Sequence, residues 1–397
     1  MESRIDAYVD ALCAEVGVRA QGLGGRETSP TPNPQLPSPG LTRADLRPTI
    51  FLGGGTPTML SLGQMEKVLQ AANEIVPLAG AEITTEANPG TVIDEQYLRG
   101  LRSLGINRIS FGVQSLHDPL LRVLGRIHTA AEAVETYRQA RRAGFERINL
   151  DFIFGLPGQT LEQWRRTLDQ VAALDADHFS LYSLIVEEGT PLHQQVTRGS
   201  IAVPDDDATA AMYELAMEKL AAAGYVQYEI SNWAKAGIRD QGSGVGDETV
   251  TFPMQASHHN VAYWLNADYM AAGAGAYGHI YPQRWHNIMG VNEYIAAVQA
   301  GRLPVANITA LGLDDLMAET MMMGLRLNVG VSFAHFADRC GRDLQDVYGD
   351  EIRALREQGL LLQDEIGVQL TERGRMLGNE VFMRFLRDEV GTADERR

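Results

Sequence analysis

The chain has 397 residues, 45% of them hydrophobic and 21% charged, which is enough apolar sequence for one large globular domain and a smaller one. Asp and Glu number 51 against 34 Lys and Arg, giving a formal charge of −17, and this balance argues against a nucleic-acid or anionic-membrane partner, which would require a basic face. The N-terminal sequence MESRIDAYVDALCAEV has early acids and no long apolar run. It therefore predicts neither a secretory signal nor an integral membrane segment, and we expect a cytoplasmic protein.

The chain begins with an amphipathic pattern that contains one of its two cysteines. Cys13 belongs to the apolar stripe of this predicted helix, and Cys340 follows two nearby phenylalanines, so both side chains are predicted to lie in a core. Two cysteines so far apart predict neither a disulfide framework nor a zinc site. Residues 22–40 carry five prolines and residues 237–248 are polar and glycine-rich, so both stretches are predicted to be loops.

Between residues 49 and 186, short apolar and β-branched runs alternate with capped helix starts. The runs are TIFL (49–52), EITTEA (82–87), RISFGV (108–113), RINLDFIFG (147–155) and HFSLYSLIV (178–186). Each helix start combines a capping residue with an acid or amide three positions later: Ser61/Gln64, Thr91/Asp94, Thr129/Glu132 and Thr160/Gln163. This order predicts an α/β fold of parallel βαβ units, in the form of a (β/α) barrel or part-barrel.

Polar or glycine residues follow every predicted strand, at the carboxyl end, where the active-site residues of a barrel lie. The three consecutive glycines after the first strand match neither a P-loop nor a dinucleotide-binding pattern, so we expect another group to approach the backbone there. Each residue also has a purely structural explanation. The glycines can allow a tight turn, Gln114 can hydrogen-bond within a loop, and Asp151 can hydrogen-bond to a neighbouring strand. The residues at these strand ends are Gly53, Gly54, Gly55, Thr56, Pro57, Glu86, Gln114, Asp151, Tyr182 and Ser183.

Beyond the predicted barrel, SHHNVAYW (257–264) places two histidines beside aromatic residues. From the residues alone, a loop histidine packed among core aromatics is the leading explanation, and ligation of a metal by the neutral imidazole is the alternative. Residues 310–397 combine helical patterns with an alternating stretch at 359–374 and predict a small winged-helix-like domain without a basic recognition helix. We assign no ligand role to four histidines expected in loops or to a methionine run expected in a helix core: His117, His128, His279, His286 and Met321–Met323.

Seven segments of the sequence resemble, in the same order, those of the radical-SAM coproporphyrinogen-dehydrogenase-like family. They are GGGTPT, TEANP, ISFGVQS, LGRIH, INLDFIFGLPGQT, QYEISNWA and HNVAYW. The last two are more similar to the HemW-type heme chaperones than to the dehydrogenases. The resemblance implies a helix and Pro-rich loop (1–48), a partial parallel radical-SAM barrel (49–236), the HNxxYW region with a loop insertion (237–309) and the C-terminal domain (310–397).

The resemblance also implies ligands for these segments. Gly54, Gly55, Thr56 and Pro57 match the segment that lies against the methionyl amino group of S-adenosylmethionine. Glu86, Gln114, Arg126 and Asp151 match positions that hold its carboxylate, ribose and adenosine parts. His259, with Tyr263 and Trp264 nearby, matches the segment associated with heme, and His259 would contact the iron.

One departure from the family pattern concerns the iron–sulfur cluster. The family's C-x-x-x-C-x-x-C loop should precede a segment resembling RIDAYVDAL, which here begins at Arg4, and the ligands of the expected [4Fe–4S] cluster are absent. We therefore expect an N-terminally truncated chain whose first barrel strand is missing. The resemblance implies a chaperone that binds heme and passes it to an unknown acceptor protein. The alternatives are an oxygen-independent coproporphyrinogen III oxidase (dehydrogenase) of porphyrin biosynthesis and an inert remnant, and no catalytic residue is assigned.

Overall fold

The computed structural model describes residues 2–23, 41–91, 94–236, 253 and 255–386. Up to residue 235, helices and strands alternate along the chain. In order they are α1 (Glu2–Leu23), β1 (Thr49–Leu52), α2 (Leu62–Asn73), β2 (Glu82–Ala87), α3 (Glu95–Ser103), β3 (Arg108–Gln114), α4 (Asp118–Val123), α5 (Ala130–Arg142), β4 (Ile148–Phe154), α6 (Leu161–Leu174), β5 (His178–Ser183), α7 (Pro191–Thr197), α8 (Asp206–Ala222), β6 (Tyr225–Glu229) and β7 (Asn232–Lys235).

These strands form one seven-stranded sheet in the order β1-β2-β3-β4-β5-β7-β6. Strands β1 to β5 pair in parallel with their neighbours, and β7 and β6 extend the sheet with antiparallel pairing. All five predicted runs are strands, so the expected parallel α/β architecture is confirmed. Because the five strands are parallel, their carboxyl ends lie along one edge of the sheet, and this edge carries the polar residues noted in the sequence.

Three of the four predicted helix starts are capping boxes in the structure, at Ser61, Thr129 and Thr160. The fourth prediction was wrong, because Asp94 and not Thr91 caps its helix. The Asp94 carboxylate accepts a hydrogen bond of 2.7 Å from the Tyr97 amide. The Thr91 hydroxyl instead donates to the Asn88 carbonyl at 2.7 Å and closes the turn after β2, which leaves it unable to serve the helix.

The second part of the chain forms two small antiparallel sheets and their helices. Its elements are α9 (His258–Trp264), β8 (Tyr277–Ile280), β9 (Gln283–Asn287), α10 (Val291–Gln299), β10 (Val305–Ala310), α11 (Leu313–Gly324), β11 (Val331–Ser332), α12 (Phe333–Cys340), α13 (Leu344–Glu357), β12 (Leu361–Gln363), β13 (Gly367–Leu370), α14 (Glu372–Met376) and α15 (Gly378–Met383). One sheet has the order β10-β9-β8 and the other β11-β13-β12. The four-part domain division stays a prediction.

Several expectations for single residues can be compared with these elements. His279 and His286 lie in β8 and β9 rather than in loops, because their neighbours pair as an antiparallel hairpin. Cys340 is buried as predicted, whereas Cys13 is only partly buried on α1. Met321 is fully buried in α11. The loops predicted at 22–40 and 237–248 lie outside the described residues, except for residues 22 and 23 at the end of α1.

A buried carboxylate holds α1 against the second part of the chain. Glu15 accepts hydrogen bonds from the Gly273 amide at 2.9 Å and the Tyr294 hydroxyl at 2.6 Å, and its other oxygen accepts from Arg19 at 2.8 Å. These donors satisfy a charge that would otherwise be costly to bury. No helix within the described ranges is long and apolar enough to cross a membrane.

Candidate functional site

A cavity of about 380 Å³ lies at the carboxyl ends of the parallel strands and extends along the sheet toward their amino-terminal ends. Its outer part is lined by Glu86, Gln114 and Tyr182, at or next to the carboxyl ends of β2, β3 and β5, and Asp151 lines it from the middle of β4. Its inner part reaches residues at the amino-terminal ends of the strands and on the α9 segment: Arg108, His178, Ser257 and Asn260.

The glycines after β1 form an exposed turn at the mouth of this cavity. Gly54 and Gly55 have φ values of +79° and +149°, which disfavour any residue with a Cβ. A Cβ on Gly53 would lie 2.6 Å from the Phe51 ring and 2.9 Å from Glu86 Oε2. The Gly54 amide donates to Glu86 Oε2 at 3.2 Å. The glycines therefore let β1 and the Glu86 carboxylate approach each other while the following backbone stays accessible.

A second group of polar side chains continues from this turn along the mouth. The Asn88 side chain donates to Thr56 Oγ1 at 3.0 Å and accepts from Arg126 Nη1 at 3.3 Å. Burial lowers the pKa of the Arg126 guanidinium, and the nearby Asp151 opposes that shift. Burial also raises the pKa of the Glu86 carboxyl, against the hydrogen bond from Gly54. Asn88 was not predicted as a site residue, although it belongs to the TEANP segment.

Gln114 ends β3 in a left-handed conformation, with φ of +66°. The β3–β4 register shifts between Phe111 and Gln114, so the strand turns out of the regular ladder there. A Cβ on Gly112 would lie 2.9 Å from Gln114 Nε2 and 3.0 Å from Asn88 Oδ1. The missing side chain at Gly112 thus leaves room for two amides at the mouth of the cavity.

Asp151 lies deeper in the cavity and is held by neighbouring strands. Its carboxylate accepts hydrogen bonds from Ser110 Oγ at 3.0 Å and from Asn149 Nδ2 at 2.7 Å. Burial raises the pKa of this carboxyl, while the hydrogen bonds from Ser110, Ser180 and Asn149 oppose the shift. The structural explanation offered for Asp151 is therefore correct, and the same contacts fix a carboxylate that lines the cavity.

His178 continues this network toward the amino-terminal end of the sheet and was not predicted as a site residue. Its ring nitrogens lie 2.6 Å from Asn149 Oδ1 and 2.8 Å from the Tyr228 hydroxyl. Burial, and secondarily the charge of Arg108, holds the pKa of His178 well below its usual value, so the ring is neutral. The signal in the sequence is weak, because a histidine that begins a strand resembles any satisfied core histidine.

The HNxxYW segment forms α9, which packs against β1. Its N-cap Ser257 accepts from the Asn260 amide at 3.3 Å. His259 stacks on Phe51 with ring centroids 4.7 Å apart, and its Nδ1 lies 2.9 Å from Thr49 Oγ1. Burial lowers the pKa of His259 to about 4. The imidazole is therefore neutral at physiological pH and held in a defined orientation.

The two aromatic residues of the segment lie on different sides of α9. The Tyr263 ring contacts His259 edge-on at 5.1 Å and packs on Tyr269 at 4.4 Å. The Trp264 ring is covered by the Arg326 guanidinium, 5.3 Å from its centroid. The structure thus brings Tyr263 to His259, whereas Trp264 faces α11 and the C-terminal elements. The predicted S-adenosylmethionine residues form a separate group at the carboxyl ends of the strands.

The two cysteines do not fit an iron–sulfur cluster. Cys13 on α1 donates to the Lys67 carbonyl at 3.6 Å, and Cys340 on α12 contacts Thr320 Oγ1 at 3.7 Å. Burial raises the pKa of both thiols, which disfavours the thiolates that a cluster requires. Among the described residues, no group of three or more His, Cys, Asp or Glu side chains is arranged to hold a metal ion.

Comparisons with known proteins agree with this architecture. The model of the Radical SAM superfamily matches residues 41–171, and that of the HemN C-terminal domain matches residues 311–377. A heme chaperone HemW from Bacillus subtilis is 39% identical over 340 residues, covering 85% of each chain. A second, from Mycobacterium tuberculosis, is 34% identical and covers 85% of this chain and 80% of its own.

A likeness in fold extends to a solved enzyme structure. Coproporphyrinogen III oxidase (HemN) from Escherichia coli, described as a radical SAM enzyme, superposes with a TM-score of 0.74 over 97% of this chain and 84% of the enzyme. Its sequence identity of 24% supports the fold and nothing finer. The long, well-covered matches to the chaperones are more specific, and they show that the chain belongs to the HemW-type heme chaperone family within the radical SAM superfamily.

Proposed function

We propose that this protein is a heme chaperone, which binds heme and transfers it to an acceptor protein. The observation that carries the proposal is the 39% identity to a HemW heme chaperone over 85% of both chains. The enzyme of the same fold is related at only 24% identity, and no feature of the cavity favours the oxidase over the chaperone. A cytoplasmic location and the absence of a nucleic-acid partner remain predictions from the sequence.

The α9 segment supplies the groups that we assign to heme. His259 is neutral because burial lowers its pKa to about 4, and only a neutral imidazole can donate a lone pair to iron. The contact between its Nδ1 and Thr49 Oγ1 fixes the ring and leaves Nε2 for the iron. Tyr263, which meets the ring edge-on, would pack on the porphyrin, whereas Trp264, whose ring is covered by Arg326, would support α9 from its other side.

The outer cavity suits S-adenosylmethionine. The accessible turn at Gly54 to Pro57 offers backbone groups to the methionyl amine, and the open space beside Gly54 and Gly55 leaves room for that approach. Arg126 would pair with the methionyl carboxylate, while Glu86 and Asp151 would accept hydrogen bonds from ribose hydroxyls. When bound, this cofactor supplies an adenosyl group next to a sulfonium centre. Because Cys13 and Cys340 do not fit a [4Fe–4S] cluster, we derive no reductive step.

Hemin titration tests the heme assignment. Hemin adheres to many apolar surfaces, so a Soret band alone decides little, and the comparison must be made between variants. His259→Ala is expected to alter the band and weaken binding at least tenfold. His286→Ala is the matched control, because His286 lies in β9 and contacts Tyr277 and its own strand.

The neighbouring His258 could replace the lost ligand, so the His258/His259 double variant belongs in the same series. Circular dichroism on each variant separates ligand loss from unfolding. If the folded double variant binds hemin with an unchanged spectrum and affinity, the assignment of α9 to heme is wrong.

A further inference from the structure

A second cavity, of about 210 Å³, lies beside α9 near the amino-terminal end of the sheet. Two arginines and a histidine line it: Arg47, just before β1, Arg147, just before β4, and His258 at the start of α9. The rest of the lining is apolar and consists of Leu41, Leu46, Pro253, Ala256 and Val261. This cavity shares no lining residue with the larger one at the strand ends.

Positive charge exceeds negative charge around the smaller cavity. The buried Glu82 carboxylate lies beside one of the lining arginines, with Oε2 3.6 Å from Arg147 Nη1 and 3.8 Å from Arg108 Nη1. Both distances are beyond hydrogen-bonding range, and Oε2 has no hydrogen-bond partner among the described residues. Two carboxylates, Glu82 and Glu146, thus act on Arg147, and they stand against the three guanidinium groups of Arg47, Arg108 and Arg147.

The guanidinium groups of Arg47 and Arg147 retain free donors. In the part of the chain that the structure describes, neither side chain donates a hydrogen bond. Burial and the nearby Arg47 both lower the pKa of Arg147, with Glu82 opposing. The two arginines would therefore gain from an anion between them.

We propose that this cavity binds a carboxylate attached to an apolar body, with Arg47 and Arg147 holding the carboxylate. The planar fork of each guanidinium matches carboxylate geometry, and the apolar lining suits an alkyl arm. The cavity volume of about 210 Å³ suits a short alkyl chain and is too small for a porphyrin ring. The carboxylate comes either from a heme propionate whose ring lies against α9, which rests on the proposed function, or from a free short-chain acid.

Two probes distinguish these sources, namely hemin compared with its dimethyl ester, and pentanoate. The test variant is the Arg47→Gln/Arg147→Gln double variant. Its matched control is Arg302→Gln/Arg342→Gln, which removes two charges from exposed arginines. The Arg47→Lys/Arg147→Lys variant keeps the charge, and a thermal unfolding curve for every variant checks that the fold survives the loss of a charge near Glu82.

If a heme propionate is the ligand, the wild type binds hemin at least tenfold more tightly than the ester. The glutamine variant loses that difference, the lysine variant recovers part of it, and the control keeps it. If a free acid is the ligand, calorimetry detects pentanoate binding that the glutamine variant lacks. Equal binding of hemin and ester, together with no arginine-dependent pentanoate binding, would overturn the proposal. A wild type that binds no hemin refutes the heme function alone, because the pentanoate titration still decides the carboxylate site.

Discussion

Strand β2 carries two glutamates on one face, and their surroundings are opposite. Side chains alternate along a strand, so Glu82 and Glu86 share a face about 13 Å apart. Glu82 is fully buried at the start of the strand, faces two arginines and accepts from the His259 amide at 3.1 Å. Glu86 is partly buried at the cavity mouth and accepts one backbone hydrogen bond, from Gly54. The neighbouring strands, and not the residue type, decide which carboxylate lies beside buried arginines and which lines the cavity mouth.

The largest effect is expected from Glu82→Gln. This change leaves the Arg108 guanidinium, whose side chain is 2% exposed, without its countercharge, and breaking a buried ion pair in this way costs about 3–5 kcal/mol of unfolding free energy. Urea denaturation of the wild type and the variant measures this difference in unfolding free energy. Glu162→Gln is the control, because Glu162 pairs only with surface arginines of its own helix and should change stability little.

A second substitution sharpens this test. Adding Arg147→Gln to Glu82→Gln removes one of the excess cations, so the double variant should be less destabilised than the sum of the single changes. Strict additivity would show that the charges at the amino-terminal end of the sheet do not interact.

Another buried carboxylate, Glu229 at the end of β6, has no arginine within ion-pair distance among the described residues. Burial raises its pKa to about 7, against hydrogen bonds from Asn232 and the Ser231 amide. The folded state therefore binds a proton more tightly than the unfolded chain. The resulting stability is present below about pH 4.5 and is lost as the pH rises through about 7, a change of up to roughly 3 kcal/mol.

Urea midpoints across this pH range test that expectation. Glu229→Gln should remove the decline, and comparing it with the wild type at each pH cancels contributions from histidines that titrate elsewhere. The interpretation is wrong if both proteins show the same pH dependence between about 4.5 and 7.

The sequence predicted the outer part of the site because its signals are local. Three consecutive glycines require a close approach or an unusual φ, and the structure shows both at Gly53 and Gly54. The strands and three of the four helix starts also follow from local patterns, since β-branched runs and capping boxes act within a few residues. The error at Thr91 arose because two candidates three positions apart, a hydroxyl and a carboxylate, could each cap the same helix.

The inner part of the site could not be predicted because its contacts join distant positions in the chain. His178 meets Tyr228 only because β7 and β6 extend the parallel sheet. His259 meets Thr49, 210 residues away, because α9 packs on β1. Neither contact produces a periodic pattern in the sequence from which it could be predicted. The smaller cavity is a similar case, as Arg47 and Arg147 precede different strands and only the sheet brings them together.

The smallest expected change in free energy is in ligand binding at the carboxyl ends of the strands. Asp151→Asn is expected to weaken S-adenosylmethionine binding at least tenfold, about 1.4 kcal/mol, because the amide loses an acceptor for a ribose hydroxyl. Folding should change little, since burial already raises the pKa of this carboxyl and the neutral amide avoids that desolvation. Asp169→Asn is the control, because Asp169 forms an exposed pair with Lys219. Calorimetric titration of wild type and both variants gives the affinities.

Ser110→Ala, which removes a 3.0 Å hydrogen bond to the carboxylate, should weaken binding less than Asp151→Asn does. If Asp151→Asn binds the cofactor as the wild type does, Asp151 only holds the strands together, and Glu86 would be the acceptor facing the ligand.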